Sequence, residues 1–108
     1  MAVVRFKKKA KRAIAKTLRD SYEKFGSASA NKMNLRIELC TELIALQPRM
    51  GKIEPELSNK KYEYRSFVVH EHFKMVYRLD EMKDVVYIIH FWDVRREPQR
   101  LADEIKKL

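Results

Sequence analysis

The side chains with the clearest chemical potential are basic ones in the second half of the chain: Arg65, Lys74, Arg78, Arg95 and Arg96. Arginines can neutralise a scissile phosphate and stabilise the extra negative charge of its transition state. On RNA, the ribose 2′-OH supplies the nucleophile, so such a site needs no covalent residue and no metal. It does need a proton acceptor and a proton donor. His90, His70, Tyr64 and Tyr87 have suitable groups, and nothing in the sequence singles one out. The plainer reading of the basic group is a solvated polar face.

Other chemistries are thinly supplied. The histidines are His70, His72 and His90, and the one thiol is Cys40. There is no cysteine pair, HExxH or paired-carboxylate pattern, so no metal site is expected. His70 and His72 read as ordinary surface or strand residues. Cys40 lies on an apolar helical stripe and reads as a small buried residue rather than a nucleophile. Two glycines leave no phosphate-cradling loop. No cofactor is expected, and no serine stands out as a member of a Ser-His-Asp set.

These side chains need elements to position them. Phe6, Ala10, Ile14, Leu18, Tyr22 and Phe25 recur at helical spacing, with Gly26 in place for a left-handed C-cap. The Ser-Ala-Ser-Ala stretch after it suits a turn and a new N-cap. A second helix is expected from about Ser29 to Leu46. Its stripe of Met33, Ile37, Cys40 and Ile44 is widened by Leu35, Leu39, Leu43 and Leu46, and so broad an apolar face expects cover on more than one side. Pro48 ends this helix, and the short link between the two implies an antiparallel hairpin.

Residues 48–61 read as a loop. Three strands follow, at Tyr62–Val69, Phe73–Leu79 and Val85–Trp92, joined by hairpin-sized links. In the second of these, Lys74 and Arg78 alternate with Phe73, Met75 and Tyr77, so they should face away from them. Arg95 and Arg96 follow the last strand. Pro98, Leu101, Ile105 and Leu108 then suggest a short C-terminal helix. The expected fold is α+β: a short strand at Val3–Phe6, an N-terminal helix hairpin packed on a small antiparallel sheet, and the C-terminal helix. The sheet face opposite the helices would then present a basic concavity.

At 108 residues, one domain spanning 1–108 is expected. The balance of 24 Lys+Arg against 15 Asp+Glu gives +9, and residues 1–19 carry no acid at all. An apolar fraction of 45% excludes a disordered polycation. No apolar run approaches the roughly 20 residues a membrane helix needs. The start runs directly into a basic block without an apolar signal region, so a cytoplasmic location is expected. A single cysteine rules out an intramolecular disulfide. Such a charge expects a polyanion or an acidic protein as partner. The cations of the first helix surround its wheel rather than line one groove, which favours an acidic protein or plain surface.

The stretch Tyr64-Arg65-Ser-Phe-Val-Val, then Phe73-Lys74-Met-Val-Tyr77-Arg78, then Val85-Val-Tyr-Ile-Ile-His90, then Val94-Arg95-Arg96-Glu-Pro98, resembles the RelE/ParE superfamily over roughly residues 3–100. These are toxins of type II toxin–antitoxin systems, linked to plasmid stabilisation and growth inhibition. The resemblance implies a helix hairpin on a small antiparallel sheet, and an acidic antitoxin that wraps the toxin in a hetero-oligomer. It also implies one of two activities. RelE-like members cleave mRNA on the ribosome without metal, whereas ParE-like members inhibit DNA gyrase. Carried onto this chain, the RelE pattern matches Arg65, Lys74 and either Arg95 or Arg96; with His90 as a proton-transfer candidate, Arg65, Lys74, Arg95, Arg96 and His90 make up the catalytic set of a RelE-like reading. That set is incomplete. Phe67 stands near a lysine position, and no tyrosine follows Tyr87. The long hairpin and the Arg-Arg-x-Pro ending look more like ParE. A non-toxic basic module that binds RNA or protein is the third reading.

Overall fold

The computed structural model describes residues 1–107. It orders them as β1 (Val3–Phe6), α1 (Lys8–Phe25), α2 (Ser27–Leu46), β2 (Lys52–Ile53), β3 (Arg65–His70), β4 (Phe73–Asp80), β5 (Val85–Asp93) and α3 (Pro98–Lys106). The α+β class and the N-terminal helix hairpin agree with the expectation. Leu108, the last residue of the expected C-terminal stripe, lies outside the described residues.

Gly26 alone joins α1 to α2. Its φ of 90° and ψ of −179° lie in a region open essentially to glycine. The expected Ser-Ala-Ser-Ala turn is instead the first turn of α2, because one glycine already reverses the chain. The short strand expected at Val3–Phe6 is β1, so Phe6 ends that strand and does not open the helical stripe.

The sheet has the order β1-β5-β4-β3-β2. It is mixed rather than wholly antiparallel, since β1 runs parallel to β5, with Val3 opposite Val85 and Phe6 opposite Ile88. The remaining pairs are antiparallel. The loop expected at 48–61 contains the short edge strand β2. Tyr62–Tyr64 precede β3 rather than belonging to it.

Two cores flank the sheet. On one face, Ile37, Cys40 and Ile44 of α2 and Ala10 of α1 pack on Met75, Tyr77, Val86, Ile88 and Phe91. On the other, Leu101 and Ile105 of α3 cover Val76, Ile89, Trp92 and Tyr64. This second core corrects the expected open basic concavity: α3 sits on that face. The register between β4 and β5 slips so that Val76 pairs with His90 and Tyr77 with Ile88. Ile89 is the extra residue of this bulge, and it and His90 share the α3 face.

Candidate functional site

The register sends the basic candidates in different directions. Arg65 lies opposite Tyr77, and Phe67 opposite Met75, so Arg65 belongs to the helix-hairpin face. Its guanidinium donates to the carbonyl oxygens of Arg49 (3.0 Å) and Gly51 (2.9 Å) and to Glu63 Oε1 (3.1 Å). It therefore ties the segment after α2 to the sheet. Lys74 lies opposite Trp92, on the α3 face, and is ion-paired with Glu54. Arg65 and Lys74 are not brought together.

Beyond β5, Arg95 is held by Asp93 through Nε (3.0 Å) and Nη2 (2.8 Å). This bidentate pair holds the Asp93 carboxyl below its ordinary range and raises the guanidinium. Arg96 stacks on the Trp92 ring at 4.4 Å. It also lies 3.9 Å from Glu104 of α3.

Glu104 is a junction. His90 Nε2 approaches it at 3.6 Å and Lys9 Nζ at 4.0 Å. His90 is 4% exposed, and burial pushes its pKa down while the Glu104 carboxylate opposes that. The Phe91 N–H donates to His90 Nδ1 at 2.8 Å. In the neutral ring this leaves the proton on Nε2, aimed at Glu104. Tyr64 is buried, which raises its phenol pKa, and Cys40 is raised by burial in the same way. Tyr87 is half-buried beneath Lys7 and Arg78.

Between α1 and the β3–β4 turn lies an open cleft of about 780 Å³, lined in part by His70, His72, His90, Arg95 and Arg96. Within it Lys16 is ion-paired with Asp20 at 2.8 Å, and His72 Nε2 lies 3.3 Å from Glu71 Oε1. Among the described residues, no group of three or more His, Cys, Asp or Glu side chains could hold a metal ion.

Sequence reasoning did not find the carboxylates Glu54, Asp93 and Glu104 that occupy the basic candidates. Of these, only the close Asp93-x-Arg95 spacing offered a local signal. It did mark the outer face of α2 as apolar and in need of cover. Leu35, Leu39 and Leu46 are 64%, 57% and 60% exposed, and Tyr22 and Phe25 at the end of α1 are exposed too. The expected cover for this face does not come from the described residues of the chain. The sequence signal was already there, because leucines run round the helix instead of stopping at its inner stripe.

The profile of the ParE toxin of type II toxin-antitoxin system, parDE, matches residues 4–98. The chain belongs to the ParE toxin family. This ParE-family chain also shares its fold with the isolated RelE toxin of E. coli, known from a crystal structure. The TM-score is 0.53 at 16% identity, with both chains covered in full. No curated protein matches the chain. It is thus a type II toxin with an antitoxin as its family-implied partner. No helix among the described residues is long and apolar enough to cross a membrane.

Proposed function

We propose that this toxin inhibits growth by binding a macromolecular target rather than by cutting RNA, with DNA gyrase the target that ParE membership suggests. The observation that carries this reading is the state of the basic candidates. Arg65 is tied to backbone carbonyls on the helix-hairpin face. Lys74 is paired with Glu54, Arg95 is chelated by Asp93, and His90 is buried beneath Glu104. A nuclease of this type needs uncompensated cations converging on one phosphate, and these are dispersed and neutralised.

The antitoxin in this reading is acidic, and it lays an apolar segment along Leu35, Leu39, Leu43 and Leu46. The four leucines follow the i, i+4, i+8, i+11 spacing that a helix-in-groove partner reads. The basic residues of α1 beside them suit the partner's acidic side chains.

The second reading is a RelE-like, ribosome-dependent endoribonuclease. It is favoured by the common neighbourhood of Lys74 and Arg96 at Trp92, with His90 on the same sheet face. Purified gyrase and primer extension separate the two. The leading reading expects loss of DNA supercoiling activity when the toxin is added, and intact transcripts after its induction. Unaffected gyrase at excess toxin, together with codon-positioned cuts in translated mRNA, would overturn it.

A further inference from the structure

Five side chains from four segments form an alternating row of cations and rings. Lys61 Nζ lies 5.1 Å from the centroid of Tyr62. The Arg78 guanidinium lies 4.2 Å from Tyr62 and 4.4 Å from Tyr87. Lys7 Nζ lies 4.7 Å from Tyr87. The row thus crosses the coil before β3, then β4, then β5, and ends at the start of α1.

The row is held in place by its backbone. Arg78 and Tyr87 are direct cross-strand partners. The N–H groups of Lys61 and Tyr62 both donate to Asn59 Oδ1 at 2.8 Å. The Lys7 N–H donates to the Ile88 carbonyl at 2.9 Å. None of these contacts neutralises a charge. Unlike Lys74, Arg95 and Arg96, the cations of the row make no ion pair with a carboxylate among the described residues. Each shares a ring with the next, so neighbours stand closer than the roughly 10 Å over which 0.1 M salt screens a charge. They repel one another, and a bound polyanion would relieve that repulsion.

We propose that Tyr62, Arg78 and Tyr87, flanked by Lys7 and Lys61, form a binding platform for single-stranded nucleic acid. The exposed Lys7 and Lys61 can swing from their rings to the phosphates, which frees a face of Tyr87 and of Tyr62 for unpaired bases to stack on. A duplex suits the row less well, because its bases are already stacked and no element here projects into a groove. The site goes beyond the proposed gyrase target and involves no cleavage. It shares no residue with the leucine face of α2.

Fluorescence anisotropy of the whole protein with a labelled single strand of roughly a dozen nucleotides tests the proposal, with RNA and DNA versions run in parallel. Either strand binding at the row supports it, and the tighter of the two names the natural class. Lys7→Ala with Lys61→Ala should shallow the plot of log affinity against log salt by about 0.7 for each lysine removed. Arg78→Gln should weaken binding tenfold or more, with circular dichroism checking its fold. The exposed lysine pair keeps the test valid if Arg78→Gln unfolds. Arg12→Ala with Arg19→Ala removes the same charge from elsewhere on α1 and should cost clearly less. Equal losses in the two double variants would overturn the proposal, as would no binding by the unmodified protein. A glutamate-rich peptide of equal charge that competes on equal terms would also overturn it, and would make the row a contact for an acidic protein.

Discussion

Tyr77 of β4 donates its buried hydroxyl to the carbonyl oxygen of Pro48, 2.7 Å away. The Tyr77 hydroxyl oxygen in turn accepts the Gly51 N–H at 2.9 Å, so one phenol satisfies both ends of the turn that leads α2 into β2. Tyr77→Phe removes both bonds and leaves a buried N–H and a carbonyl without their partner. A loss of about 1–3 kcal/mol is expected, read from urea unfolding. Gly51→Ala should be at least as damaging. A Cβ there would collide with the Tyr77 hydroxyl and stand 2.7 Å from the Ser66 carbonyl oxygen.

Gly26 gives a cleaner backbone test. No atom would meet a Cβ at this position within 4 Å, so Gly26→Ala adds no clash with its surroundings. It still forces a non-glycine residue into a glycine-only conformation. The expected cost is about 1–3 kcal/mol, seen as a lower thermal midpoint with unchanged helix content after refolding.

Lys74 and Glu54 should behave as a coupled, mostly buried pair, with side chains 21% and 15% exposed. Lys74→Met leaves the carboxylate unpaired and should cost about 3 kcal/mol. Lys74→Met combined with Glu54→Leu should recover most of that. A double-mutant cycle by urea unfolding measures the coupling, and additive single losses would show that the pair is ornamental.

His90 sets a pH window. Burial holds its folded pKa below 6.5, so below that pH the unfolded chain binds more protons than the folded one. Stability therefore rises with pH across the window and is lost as pH falls. The charged groups facing His90 are Glu104 of α3, Lys9 of α1 and Arg96 after β5. Urea midpoints between about pH 8 and pH 5 should fall with pH, and His90→Gln should flatten that slope. Asp20 and Asp93 have folded pKa values lowered from 3.8. Their contributions are present above that value and are lost only at more acid pH, so the two effects separate.

The leucine face of α2 should be silent in the toxin alone. Leu39→Glu should change its unfolding free energy by no more than about 0.5 kcal/mol. Antitoxin affinity should drop tenfold or more, measured by calorimetry. Unchanged affinity would move the antitoxin to another surface.

Much of the fold could be read from local pattern. The alternation from Phe73 to Leu79 gave β4, the continuous run from Val85 to Trp92 gave a central strand, and Pro98 marked the start of α3. The missing parts depend on long-range placement. Lys52 and Ile53 are too few to show a period. Nothing local to Leu101 and Ile105 says which sheet face they cover. Parity within β4 correctly sent Lys74 away from Met75 and Tyr77. Placing Arg65 required the register of β3 on β4, which no sequence spacing reveals. The same limit applied to the site. Arg78 was visible as a basic strand residue, but the rings on either side of it come from Tyr62 and Tyr87 in other segments.

The parallel pairing of β1 with β5 has a consequence for synthesis. Apart from Val4 and Phe6 of β1, the sheet residues that cover the inner stripe of the helix hairpin leave the ribosome after it, and Val86, Ile88 and Phe91 are among the last of these to appear. Until then, α2 displays apolar side chains on both sides. Afterwards only the leucine side remains bare. A nascent chain therefore offers other proteins a wider apolar surface than the finished toxin does, and it is the arrival of β5 that narrows it.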